Sequence, residues 1–265
     1  MAERFKTLPS TNGAYVKISL SLSQMLSKLM LRMPLDPRDQ AAVLALPHIV
    51  RKMRVHEFIA RENDQPSSIC LLLSGFAFQH RISGDGRRQI FSLHMAGDLI
   101  DLQNAILQRA DQNVQALSSV EVALIPIDAI RAIALSHPAV GQAMWYETLA
   151  NAALIQEWGL NASRRNARAS MAHILCDLAT RMEIAGLGQR NLFDLPMTQE
   201  QLGDALALTT VHVSRTFRAL AEDELITRHQ RTVEILDFAR LAAIGEFDDR
   251  YLHLNSSFAQ QPQTG

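Results

Sequence analysis

Only two cysteines, Cys70 and Cys176, occur in 265 residues. Two thiols build no disulfide framework and by themselves hold no iron–sulfur cluster, and so low a cysteine content fits a reducing compartment. No apolar run reaches the roughly 18 residues of a membrane span. Met1–Asn12 is polar, without the apolar stretch of a secretory signal. The expectation is a cytoplasmic protein with no membrane partner. No charge sign dominates either: the net charge is -1 and the pI about 6.8. A nucleic-acid partner would have to be held by a local patch. Lysine stops at Lys52, after Lys6, Lys17 and Lys28, and every later cation is arginine or histidine, which reads as a compositional bias. Also missing are a P-loop, a Ser/His/Asp set, paired carboxylates and a metal cluster at useful spacing. No catalytic residue, metal or cofactor is therefore expected, and the reading is a non-enzyme.

Hydrophobic residues make up 48% of the chain, enough to bury a core over two domains. Leu22, Met25, Leu26, Leu29 and Met30 recur at helical spacing, and Asp36 can cap a short helix over 37–46. From Ile49 the period shifts toward two. Strands are expected at 49–55, 58–60, 68–73, 77–82, 88–94 and 120–125, with Gly84-Asp85-Gly86 as a hairpin turn. Short strands at this spacing suggest a small β-roll or jelly roll. His137-Pro138 then opens a long Ala-rich run to Leu160. Met144, Thr148, Ile155 and Trp158 form one stripe on it, and Trp145, Leu149, Ala152 and Ala153 another. A helix apolar on two sides must be covered twice, most economically by its own β-domain and by a second copy of the chain; the alternative is the buried central helix of a monomer. The pattern breaks at Asn161-Ala162-Ser163, and a helix from 164 to 184 follows with Met171, Ile174, Leu175, Leu178 and Met182 inward. Cys176 sits beside that stripe as a small core residue, and Gly186-Leu187-Gly188 ends the helix.

Met197–Leu220 is the most informative stretch. Thr198 followed by Gln201 is a capping box. Thr209 is a second N-cap only eleven residues on, so a tight turn separates two helices. The second presents Val213, Phe217 and Leu220 inward and Thr210, His212, Ser214, Arg215 and Arg218 outward, which is the helix-turn-helix design. Residues 225–228 and 232–236 flank His229-Gln230-Arg231 as a short wing with a basic tip. Asp237 can cap a last helix over 238–244, and Ser256–Gly265 reads as a disordered tail. The turn position commonly filled by glycine holds Ala207, where a left-handed conformation costs about 1 kcal/mol.

On these segments, with Leu73-Ser74-Gly75 and Met95-Ala96-Gly97-Asp98-Leu99-Ile100 in the strand region, the chain from about 25 to 245 resembles the Crp/Fnr superfamily of bacterial transcription regulators. The resemblance implies an α+β chain in four parts. These are a cyclic-nucleotide-binding-like sensor β-roll over 22–127, a dimerisation helix over 128–161, a winged helix-turn-helix domain over 162–245 and a tail over 246–265. It implies double-stranded DNA, a second copy of itself and RNA polymerase as partners. Thr198, Gln199, Thr209, Thr210, His212, Ser214, Arg215 and Arg218 become the DNA-contacting candidates. Arg215 matches the family arginine that reads guanine through O6 and N7. Val211 stands where many relatives carry a glutamate, so the half-site should differ from that of the cyclic-AMP receptor. Gly97, Asp101, Arg109 and Asp111 mark the effector pocket by position. Members that bind cyclic AMP place an arginine against its phosphate, whereas two carboxylates stand here, so no cyclic-nucleotide response is expected. The rival reading is an effector-sensing module whose C-terminal domain docks protein rather than DNA.

Overall fold

The computed structural model describes residues 22–254. Residues 1–21 and the expected disordered tail over 256–265 lie outside the described residues. Helix α1 (22–30) is followed by α2 (Pro37–Leu44), whose N-terminus Asp36 caps by accepting from Arg38 and Asp39 amides. Eight strands come next: β1 (Ile49–Met53), β2 (Phe58–Ala60), β3 (Ser68–Ser74), β4 (Ala77–Ile82), β5 (Arg88–His94), β6 (Leu99–Ile100), β7 (Asn113–Ala116) and β8 (Val120–Pro126). They pair antiparallel as two four-stranded sheets, β1-β8-β3-β6 and β2-β7-β4-β5.

Strand alternation explains the layering. Cys70, Leu72, Val120 and Val122 of the first sheet meet Ala77, Val114 and Ala116 of the second inside the roll. Ile69, Leu71, Ala123 and Ile125 face the other way, onto α1 and the helices that follow β8. The second sheet turns Phe78, Ile90 and Leu93 outward into a core shared with the C-terminal helices. Strands β6 and β7 escape the pattern reading, because β6 has two residues and β7 only two apolar ones.

The expected single helix over 128–161 is corrected. Helix α3 (Ile127–Ser136) and helix α4 (Pro138–Ser163) are separate, broken at His137. The proline that follows biases His137 away from helical geometry, and it sits at φ -128°, ψ 83°. The two helices cross closely at Gly141, where a Cβ would stand 2.6 Å from the Ala134 carbonyl oxygen.

Helix α5 (Ala167–Ile184) starts at Asn166, whose side chain accepts from the Ala169 amide. A three-stranded sheet, β10-β11-β9, then braces the helix-turn-helix, from β9 (Leu192–Asp194), β10 (Ile226–His229) and β11 (Thr232–Ile235). Strand β9 is absent from the sequence reading. Helix α8 (Phe238–Gly245) is capped by Asp237. The tail over 246–265 is also corrected. Residues 249–252 form a 3-10 turn against α4, with Leu252 buried and Tyr251 Oη donating to Asp177 at 2.5 Å.

Candidate nucleic-acid interface

Helix α6 (Gln199–Leu206) begins with the full capping box: the Gln201 amide donates to Thr198 Oγ1 and the Thr198 amide to Gln201 Oε1. It ends at Ala207, which takes φ 54°, ψ 38°. The turn therefore absorbs the left-handed cost rather than avoiding it. The Leu208 amide closes back on the Gly203 carbonyl at 3.0 Å, so close that a Cβ on Gly203 would lie 2.5 Å from the Leu208 carbonyl oxygen. Glycine is thus spent on the close approach and not on the left-handed residue. Ala207→Gly should raise stability by up to about 1 kcal/mol. Denaturant unfolding reads this; unchanged stability would show that the alanine carries no strain.

Helix α7 (Thr210–Glu222) is capped by Thr209, which accepts from the His212 amide. Val213, Phe217 and Leu220 are buried, and Thr216 returns its hydroxyl to the His212 carbonyl. Thr209, Thr210, Val211, His212, Ser214, Arg215 and Arg218 are exposed. Among the described residues Arg215 and Arg218 make no hydrogen bond or ion pair, so their forks are free for a partner. Thr198 is exposed and Gln199 half-exposed at the start of α6. Exposed hydroxyls and amides at two helix N-termini, with free guanidinium groups on one outer face, suit a phosphate-and-base surface.

The wing differs from its sequence reading. Arg231 donates to the Pro196 carbonyl at 2.6 Å, and Arg228 lies over the Phe217 ring at 4.5 Å. The tip is left to His229 and Gln230, with Gln230 at φ 53°. Of the tip's two basic residues, Arg231 is tied by one N–H to the Pro196 carbonyl, whereas His229 stays exposed. Sequence reading also missed the bracket behind α6. Arg88 of β5 pairs with Asp204 at 2.7 Å, and Gln89 donates to the Ala205 carbonyl at 3.1 Å. No local pattern announces that contact, because the partners lie 116 residues apart.

The four effector-pocket candidates do not form one group. Asp101 is buried at φ 56° and accepts from Gln103 and Gln112. Burial raises its pKa, and Asp111 adds to the rise. Asp111 is exposed, and Arg109 turns to the Asn63 carbonyl. Gly97 lines a different cavity, between the roll and the C-terminal helices.

On α4 one expected stripe is covered: Met144 and Trp158 are buried, Thr148 and Ile155 half-buried. The other is open. Trp145 is 71% exposed and Leu149 58%, with Ala152 beside them.

Residues 170–244 match the model of the Crp-like helix-turn-helix domain and residues 50–137 that of the cyclic nucleotide-binding domain. The transcriptional activator protein Anr of Pseudomonas protegens is 27% identical over 219 residues, 83% of this chain and 89% of its own. The nitrogen fixation regulation protein FixK of Azorhizobium caulinodans is 26% identical over 191 residues, 72% of this chain and 75% of its own. Among solved structures, FixK2 from Bradyrhizobium japonicum shares the fold at TM-score 0.67 and 22% identity, covering 75% of this chain and 98% of that one.

Proposed function

The chain belongs to the Crp/Fnr family and is a DNA-binding transcription regulator, and from that premise we propose that it acts as a homodimer on an inverted-repeat operator. In this reading α4 is the dimerisation helix and the segment from α5 to α8 holds the DNA. The observation that carries it is the outer face of α7, where Arg215 and Arg218 stand exposed and unpaired beside the Thr209–Thr210 N-terminus. Arg215 reads a guanine, and Thr198, Gln199, Thr209, Thr210, His212 and Ser214 contact phosphates and neighbouring bases. Val211 accepts no hydrogen bond and meets a thymine methyl instead. The relatives are regulators rather than enzymes.

The nucleotide position is degenerate in this proposal. Asp101 and Asp111 stand where an anionic phosphate would need a cation, and an unpaired buried anion is costly. RNA polymerase is a further proposed partner, resting on family resemblance alone. Among the described residues no helix is long and apolar enough to cross a membrane, and the proposed location is the cytoplasm.

Selection of bound sequences from a random DNA pool tests the operator. Inverted repeats with half-site centres about 34–36 Å apart are expected. Arg215→Ala should weaken the selected site by about 1–3 kcal/mol and relax one guanine per half-site. Equal loss on selected and random DNA would make Arg215 a phosphate contact and overturn its reading role.

A further inference from the structure

We propose that Arg165, Asn161 and His173 form an acid-sensitive latch between α4 and α5, closed while the His173 ring is neutral and opened when the ring takes up a proton. This deepens the regulator reading above and rests on it for the effect on DNA, though not for the latch itself.

The latch is a directed chain of hydrogen bonds. Arg165, in the link between the two helices, donates from Nη1 to Asn161 Oδ1 at 2.9 Å and from Nη2 to Glu157 Oε2 at 3.1 Å. A guanidinium offers donors alone, so the Asn161 oxygen must face it and the Asn161 amide nitrogen must face the other way. That nitrogen stands 3.0 Å from His173 Nδ1. It too can only donate, so Nδ1 accepts and the ring proton sits on Nε2. Glu157 Oε2 stands 3.5 Å from Nε2, outside hydrogen-bond geometry. The chain of donors thus admits one tautomer of a neutral ring.

Neither side chain at the centre can step aside. Asn161 is 2% exposed and His173 fully buried. The ring is packed by Tyr251, stacked at 5.9 Å, and by Phe247, edge-on at 5.5 Å. Helix α8 crosses here so closely that a Cβ on Gly245 would stand 2.5 Å from the His173 backbone nitrogen. A proton arriving at Nδ1 would set N–H against N–H at 3.0 Å, and Asn161 cannot turn over while Arg165 holds its oxygen. The charged groups around the ring are Glu157 on α4, Arg165 in the link, Asp177 on α5 itself and Glu246 beyond α8, with the Tyr251 phenol beside them. Burial outweighs those carboxylates and lowers the ring's pKa below 6.5, and Arg165 acts in the same direction. The ring is therefore neutral and the latch closed at neutral pH.

The position couples the latch to the recognition helix. Helix α4 carries the open apolar face of Trp145 and Leu149 proposed for the partner copy, whereas α5 shares its core with Val213 and Phe217 of α7. One turn along the same two helices, Trp158 Nε1 donates to Asp177 at 3.2 Å. That tie survives when the latch opens and serves as a pivot. Protonation thus frees the end of α4 from α5 and loosens the angle at which two recognition helices meet two half-sites.

The test compares the full chain with its Asn161→Asp variant. In the variant the new carboxylate accepts from both Arg165 and a protonated Nδ1, so uptake of the proton closes the latch instead of opening it. Nitrogen-15 spectra of the ring should show the Nε2–H tautomer for His173 of the parent, titrating below 6.5, and a titration above 6.5 in Asn161→Asp. The Arg164 and Arg165 amides both donate to the Leu160 carbonyl at the end of α4. Their hydrogen-exchange protection should drop about tenfold in the parent between about pH 7 and about pH 5, and hold in the variant. Operator affinity of the parent should fall about tenfold relative to the variant over the same range. The exposed His212 and His229 are common to both chains and cancel in that comparison. An Nδ1–H tautomer in the parent, the same ring titration in both chains, or protection that falls in parallel would each overturn the latch. Should Asn161→Asp fail to fold, the tautomer and the protection of the parent decide alone. A chain whose ring and protection behave as expected but which binds no selected DNA keeps the latch and loses the regulator reading. Operator binding by a chain with an Nδ1–H ring does the reverse.

Discussion

Replacing Trp145 and Leu149 together by aspartate should turn the dimer into a monomer and lower operator affinity by about a hundredfold or more. Both side chains stand on the open face of α4, and neither supports the chain's own core. The variant should therefore keep its helical content and its unfolding midpoint when dilute. In the assembled dimer the two-fold axis would place four carboxylates in an apolar seam, where unpaired charge is strongly unfavourable. Once the seam is lost, each recognition helix meets its half-site alone. The gain from tethering two half-site contacts, commonly 10²–10⁴, disappears with it. Sedimentation and a titration on the selected operator read the two effects. A variant that remains dimeric would show that the seam lies elsewhere.

The second large effect is expected at Asp98. Its carboxylate is buried, accepts from the Met95 amide at 3.0 Å and from Lys28, and stands 3.4 Å from Arg181. Asp98→Asn would leave Lys28 and Arg181 facing a neutral group, and breaking a buried pair from one side commonly costs about 3–5 kcal/mol. Burial alone would raise the Asp98 pKa, yet Lys28 and Arg181 hold it well below the usual carboxylate range. Its contribution is thus present above the unfolded value of 3.8 and lost as the pH falls below it. His94 acts in an earlier window. Burial lowers its pKa from 6.5 to about 4, so the unfolded chain takes up a proton that the fold refuses, and stability declines between those values on acidification. Denaturant titrations from pH 8 to about pH 3 should show both stages, with the lower one missing in Asp98→Asn. A variant as stable as the parent, with the same acid profile, would show that Asp98 is not a structural charge.

Much of the recognition unit was legible because its signals are local. Thr198 and Gln201 are three residues apart, and Thr209 lies against the amide it caps. The apolar period of α7 separates Val213 and Phe217 from Arg215 and Arg218 without help from the rest of the chain. Even the awkward Ala207 could be named in advance, since the cost of a left-handed alanine belongs to one residue. The wing was read less well. Its strands follow from alternation, but the direction of Arg231 depends on the Pro196 carbonyl, supplied from 35 residues away.

The same distinction separates what the sequence determined by itself from what only the tertiary structure decided. Periodicity, caps and turns settled the order of roll, long helix and helix-turn-helix, because each of these is an interaction among near neighbours. The break at His137 was written in Pro138, which opens the Ala-rich run, and only the single helix over 128–161 that the resemblance implies ran across it. Burial of His94, Asp98, Glu147 and Arg181 was written nowhere locally. Lys28 finds Asp98 across 70 residues and Arg181 finds it across 83. An isolated charge in sequence reads as solvated surface, since an unpaired buried ion is too costly to expect. Only folding brings opposite charges from α1, the roll, α4 and α5 to one place, and their mutual attraction there makes burial tolerable.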